Sequence, residues 1–362
     1  MTFKAAYVRQ TIDHEVIASS VYGFAALALL PIFFKYETNK VFRSVAGTAV
    51  AIMLLVLLPI SLPLELPLLA RYPLLVGFNF FQVGVRTGPC LAYLGGSKTF
   101  EENFKKRMQK IKDENELPAL EGAVDIYPVM SNVAIAHEFD YRPRPVFQSY
   151  LAYTQPLTKI NKEHLASEKA APTIVIQSLK DCYGYYPSLY DGPSWPSLLS
   201  QYEPVSTHPG GLVLKKRLRA SNAVLNKIRT TAFKLGEPVV LEPSEKIIFA
   251  EIETKQTALG AVQKLFYRIF PPAIDVVLSD GSKKHFIAPS QILKSGFVMS
   301  PYVVSPAEFE KLYAANPGKS SLSGVKSVTI SETKNELPWN VFYPDCQISL
   351  YELSITRDTE AP

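Results

Sequence analysis

Three cysteines in 362 residues, Cys90, Cys182 and Cys346, are too few and too far apart for a disulfide scaffold or a zinc knuckle. In an oxidising compartment Cys182 and Cys346 could form one disulfide, but the preferred reading is three unrelated structural thiols. The five histidines are scattered, so no metal site is expected. A Gly-x-Ser-x-Gly elbow and a Walker loop are both missing. Gly210-Gly211 precedes a strand pattern rather than a helix, the wrong order for cradling a phosphate. No catalytic residue and no cofactor follow from the sequence. Charge of one sign is missing too: 38 Lys and Arg are mixed with 33 Asp and Glu, net +5, which does not point to nucleic acid. The densest basic runs, Lys105-Lys106-Arg107 and Lys215-Lys216-Arg217-Leu218-Arg219, read as solvated helix or strand ends, with anionic lipid head groups as the alternative.

What is plentiful is apolar sequence near the N-terminus. Val16–Phe34 carries no charge, and Ser44–Leu64 is a second uncharged run. Either would cross about 30 Å of hydrocarbon as a helix. No small-residue cleavage site follows the first run, so a signal peptide is not read there. The loop from Lys35 to Arg43 holds Lys35, Lys40 and Arg43 against Glu37. The positive-inside bias then puts this loop in the cytoplasm and the C-terminal body on the extracytoplasmic side. Residues 72–96, with Asn79 and Gln82, suit an interfacial helix better than a third span. An amphipathic helix over Phe100–Ile111 leads away from it.

Beyond residue 123 short extended runs alternate with helical ones. Strands are expected at Val124–Tyr127, Val146–Tyr150, Thr173–Gln177 and Gly211–Lys216, and helices at Ser131–His137 (Ser131 as N-cap), Gln155–Ser167 and Ser194–Tyr202. A linker helix is expected over 219–237. From Pro238 short β runs take over, including Ala261–Phe270, with Ser279-Asp280-Gly281-Ser282 as a hairpin turn and a helix at Pro306–Ala314. The fold class expected is therefore membrane-anchored α+β: two transmembrane helices, a small α/β layer and a C-terminal β-sandwich. Its divisions fall at 1–71 (two-span anchor), 72–122 (interfacial and connecting helices), 123–218 (α/β domain), 219–237 (linker helix) and 238–356 (β-sandwich).

The densest polar stretch runs from His137 to Thr154. Pro143 and Pro145 hold it extended, so Arg142 and Arg144 would project from one side. Arginine forks suit phosphate or carboxylate groups, which makes Arg142, Arg144, Gln148, Tyr150 and Tyr153 the candidate ligand-binding set. The preferred alternative has the same arginines pair with Asp140, Glu138 or the membrane surface and fix the start of a strand. Aromatics crowd Tyr183 to Trp195 and would make either a platform for a sugar face or the packing of a Pro and Gly loop onto its domain.

Val124-Asp-Ile-Tyr-Pro, Tyr141-Arg-Pro-Arg-Pro-Val-Phe-Gln-Ser-Tyr-Leu-Ala-Tyr-Thr, Pro172-Thr-Ile-Val-Ile, Tyr202-Glu-Pro-Val and Gly296-Phe-Val-Met-Ser-Pro resemble the C-terminal part of a group of large bacterial polytopic membrane proteins. The alternation of strand and helix is similar in architecture to extracytoplasmic domains of glycosyltransferases that use lipid-linked sugars. The resemblance implies the bacterial inner membrane, and as partners the lipid bilayer, a polytopic membrane protein and a glycan or lipid-linked sugar. The function expected is a non-catalytic extracytoplasmic binding or assembly module within a larger membrane complex. The alternative is a component of a glycosyltransferase-like cell-envelope enzyme whose catalytic helices come from another chain.

Overall fold

The computed structural model describes residues 98–180, 184–266, 271–314, 321–332 and 340–356, with isolated positions between 85 and 96. Residues 104–261 and 270–362 belong to one unit, and the architecture below is that unit's. Its described part is built from three sheets.

The first sheet has five strands in the order β2-β1-β3-β5-β4: β1 Ala123–Tyr127, β2 Asp140–Tyr141, β3 Thr173–Ile176, β4 Tyr202–His208 and β5 Gly211–Lys216. β1 is parallel to both β2 and β3, with Asp125 opposite Ile174 and Tyr127 opposite Ile176. β5 then runs antiparallel to β3 and forms a hairpin with β4. The parallel crossovers carry helix α2 (Asn132–Ala136) and helix α3 (Gln155–Ala166), and α4 (Ser194–Gln201) precedes β4. Because side chains alternate along a strand, Val124 and Ile126 pack with Ala134 of α2 on one face. Asp125 and Tyr127 lie on the other, where α3 and α4 sit. Helix α1 (Thr99–Glu114) precedes this sheet in the chain.

The other two sheets have four antiparallel strands each. One has the order β10-β9-β12-β7, from β7 (Pro238–Val240), β9 (Ala273–Leu278), β10 (Lys283–Ile287) and β12 (Val325–Ser331). The other is β11-β8-β13-β6, from β6 (Asn222–Lys234), β8 (Ile247–Glu253), β11 (Phe297–Ser300) and β13 (Asp345–Thr356). They face each other across one core: Ile274, Val276, Val328 and Ile330 meet Ile248, Ala250, Met299 and Ile348. The opposite face of the β11-β8-β13-β6 sheet is also covered. Ile247, Phe249, Val298 and Leu353 pack with Tyr127, Ile174, Trp195 and Leu198, and with Phe309 of a short helix, α7 (Pro306–Lys311). That sheet is the middle layer of the unit, which is why β8 is buried along nearly its whole length.

Several expectations are corrected. The described residues are mostly strands in three sheets with few helices, not a membrane-anchored α+β fold with two transmembrane helices. Among the described residues no helix is long and apolar enough to cross a membrane. Val16–Phe34, Ser44–Leu64, most of residues 72–96, Cys90 and Cys182 lie outside the described residues. Within 219–237 a strand, β6, replaces the linker helix. Its β-branched Val224, Ile228, Thr230 and Thr231 suit a pleated surface, and pairing with β13 from Asn222–Thr356 to Lys234–Asp345 outweighs helical propensity. The reverse happens over 261–266, the described part of the run 261–270 read as a strand. Helix α5 (Ala258–Phe266) begins just before it, nucleated by Thr257, whose Oγ1 accepts from the Gly260 N–H at 3.0 Å.

Val146–Tyr150 forms no strand. The Val146 N–H and C=O are both taken by the Asn161 side-chain amide, at 2.9 and 3.1 Å, and a 3-10 turn follows at Ser149–Leu151. Ser131 has helical dihedrals and no side-chain capping bond, so it does not cap α2. Helix α6 (Ser290–Ser295), between β10 and β11, was not read from the sequence.

Candidate functional site

β1 has an acid in the middle of an apolar run, Ala-Val-Asp-Ile-Tyr, and every one of its residues is buried. A carboxylate in such a place needs a partner, and Arg144 supplies it. Arg144 Nη1 lies 2.9 Å from Asp125 Oδ2, and both side chains are shut off from solvent. The same Nη1 donates to the Ile126 carbonyl at 3.0 Å. Nη2 donates to the carbonyls of Pro128 and Phe147 and to Ser149 Oγ. The guanidinium also lies over the Tyr127 ring, 4.6 Å from its centroid. Burial works against the charge on Arg144, but Asp125, Asp191 and Tyr127 outweigh it and raise its pKa.

This arginine staples two loops at the carboxyl end of β1. The loop after β1 contributes the Pro128 carbonyl, which also accepts from the Ser149 N–H at 3.0 Å, and the segment before α3 contributes Phe147 and Ser149. Asn161 of α3 holds the second loop from below through Val146. In open sheets with parallel strands this edge is where ligands are taken, where connections leave a strand in opposite directions. β1 lies between β2 and β3, which makes its carboxyl end such a point.

The five residues singled out from the sequence separate here. Arg144 is internal, whereas the Arg142 side chain is exposed, so the two do not form one fork. The extended Pro-Arg-Pro backbone does not stand free, because Arg144 turns inward to the buried carboxylate. Gln148 and Tyr150 are half-buried and bonded to each other, Tyr150 OH donating to Gln148 Oε1 at 2.7 Å. Tyr153 is 55% exposed. Phe147 (41%) and Met130 (43%) on the stapled loops are also open to solvent and were not singled out from the sequence. Met130 on the loop after β1 and Phe147 and Tyr153 on the segment before α3 are thus exposed apolar or aromatic side chains on the two loops that Arg144 ties together.

Deeper in, Asp191 lies on the loop before α4, fully buried and with its backbone in the left-handed region (φ 53°). Its Oδ2 accepts from Asn161 Nδ2 at 2.8 Å. Burial pushes the carboxyl up to about 7, against the pull of Arg144 and the bond from Asn161. The aromatics around it face inward: Tyr186, Tyr190 and Trp195 are buried, Tyr127 OH donates to the Tyr190 carbonyl at 3.3 Å, and Trp195 meets Phe309 edge-on. In these residues the loop packs onto its domain instead of forming an open platform; Tyr183 lies outside the described residues. Asp125, Asn161 and Asp191 were missed by motif reading. The signal for Asp125 was present, as an acid within a strand otherwise apolar.

Among the described residues no group of His, Cys, Asp and Glu is placed to hold a metal. No protein-family model, no curated protein and no solved structure matches the chain.

Proposed function

We propose that this chain is a binding and assembly module that takes a partner protein at the carboxyl end of β1, through the exposed side chains of Met130, Phe147 and Tyr153. One observation supports the reading above the others: the two Nη groups of the buried Arg144 guanidinium donate to Asp125, Ile126, Pro128, Phe147 and Ser149, and so fix the loops that hold three exposed apolar side chains. Loops ordered in advance lose little entropy on association. Tyr, Phe, Met and Arg are the residue types enriched where proteins meet, and Arg142 stands exposed on the same segment. The role of Arg144 in this reading is to position these loops, not to touch the partner.

The test is the mass of the assembly in which the chain occurs. The full chain, tagged and purified from its native cells in mild detergent, is expected in a species well above its own 40.3 kDa. Phe147→Ala with Tyr153→Ala, folded as judged by circular dichroism, is expected to run as the lone chain. A wild-type chain that runs alone contradicts the reading. Binding of an oligosaccharide that is lost with Tyr153→Ala would replace the protein partner by a glycan.

A further inference from the structure

The buried Asp191 carboxyl sits on a segment that ties two layers of the unit together. From Gly184 to Leu189 this segment is held by the antiparallel sheets. Tyr185 bridges to Ile287 of β10, Tyr186 OH donates to the Met299 carbonyl at 2.7 Å, and Ser188 Oγ donates to the Val298 carbonyl. Gly192 lies so close to Gly296 and Phe297 that a β-carbon there would collide with the Gly296 carbonyl. At Tyr190 and Asp191 the same segment is held by the five-stranded sheet, through Tyr127 of β1 and Asn161 of α3. Residues 184–195 are thus a strap between the two layers, held to the five-stranded sheet at Tyr190 and Asp191 and to the antiparallel sheets on either side of that point.

We propose that Asp191 is a proton-operated pin of this strap: with its carboxyl neutral the strap is seated, and ionisation loosens the strap from the five-stranded sheet.

The charge count around the pin carries the argument. The groups that face Asp191 are Arg144, Asp125 and Tyr127 from the five-stranded sheet and its loop, Asn161 from α3, and Ser194 at the start of α4. Arg144 is the one cation among them, and it already has Asp125 as counterion at 2.9 Å. A second carboxylate would leave one uncompensated negative charge in a site closed to water, which is costly. The neutral acid adds no charge to the site, and burial outweighs the pull of Arg144 and Asn161 on the carboxyl. Asp191 Oδ1 has no partner in hydrogen-bonding geometry among the described residues. The raised carboxyl, at about 7 against an ordinary 3.8, agrees with this count. The sign follows: the seated strap keeps its proton up to about pH 7 and the released strap loses it from about pH 4, so seating weakens as pH rises through this window and levels off above it.

The experiment is hydrogen exchange with mass-spectrometric readout on the full chain, corrected for the intrinsic pH dependence of exchange. Between about pH 5.5 and about pH 8, peptides covering 184–195 are expected to lose protection on the order of tenfold, while peptides from β13 do not change. Asp191→Asn keeps an acceptor for Asn161 and tolerates the left-handed backbone; its strap protection is expected to be the same at both pH values. A wild-type strap with no pH dependence, an equal slope in β13, or a slope that persists in a folded Asp191→Asn chain would each overturn the proposal. If Asp191→Asn does not fold, the wild-type comparison of strap with β13 decides alone.

Discussion

Arg144 and Asp125 form a buried ion pair, Nη1 to Oδ2 at 2.9 Å, in which the cation comes from a proline-flanked loop and the anion from the centre of a buried strand. Their energies are coupled, because removing one leaves the other charged in an apolar surrounding. Arg144→Met alone is expected to cost about 3–5 kcal/mol in urea unfolding, and Asp125→Leu alone a similar amount. The double substitution is expected to be much less harmful than the sum of the two. Additive losses would mean that the pair is not the unit that holds these loops.

Asn161 satisfies three groups at once: the N–H and C=O of Val146 and the Asp191 carboxyl. Asn161→Ala leaves the Asp191 carboxyl without this donor in a closed site and frees the part-buried Val146 groups, so a loss of about 2–3 kcal/mol is expected at equilibrium. Asn161→Asp is expected to be no milder, since it adds a carboxylate beside Asp191 and loses the amide donor.

Two glycines should respond in opposite degrees to alanine. At Gly192 a β-carbon meets the Gly296 carbonyl and comes within 2.8 Å of Phe297 Cα, so backbone would have to move. Gly192→Ala is expected to cost about 3 kcal/mol or prevent folding. Gly281, in the turn between β9 and β10, has φ +83° with open space around it. There Gly281→Ala costs only the left-handed backbone, about 1 kcal/mol, read as a small shift in thermal midpoint.

Cys346 is a free thiol packed between the two antiparallel sheets, and burial together with Asp345 pushes it up to about 11. The thiolate is the reactive form, and little of it exists near neutral pH. Peptide mapping after iodoacetamide at about pH 8 is expected to find Cys346 unmodified in the folded chain and fully modified in urea. Rapid labelling without denaturant would contradict its place in the core.

The sequence made some of this legible. Gly211–Lys216 and Thr173–Ile176 are apolar runs with the length of buried strands, and Ser279-Asp280-Gly281-Ser282 has the chemistry of its turn: Gly281 takes the left-handed conformation, and Asp280 Oδ1 accepts from the Ser282 N–H. Other elements depend on partners far away in the chain. Val146–Tyr150 has the composition of a strand, but Asn161, fifteen positions on, takes the backbone groups a neighbouring strand would need. β6 is a strand because β13, more than a hundred residues later, pairs with it.

The site divided in the same way. Arg144 was visible as an unusual residue between two prolines, but its direction was set by an acid nineteen positions earlier that reads from the sequence as part of a core strand. Two arginines two residues apart on an extended chain look equivalent. One burying its charge and the other keeping it in water is a tertiary outcome that no local spacing records.

The most direct measurement is site-specific photocrosslinking in living cells, with a benzophenone amino acid at Phe147, at Tyr153, or at exposed Lys284 on β10 as the control. The account predicts that positions 147 and 153 capture one and the same partner chain and that position 284 does not. Capture at 284 with none at 147 or 153 would contradict it and move the recognition surface to the antiparallel sheets.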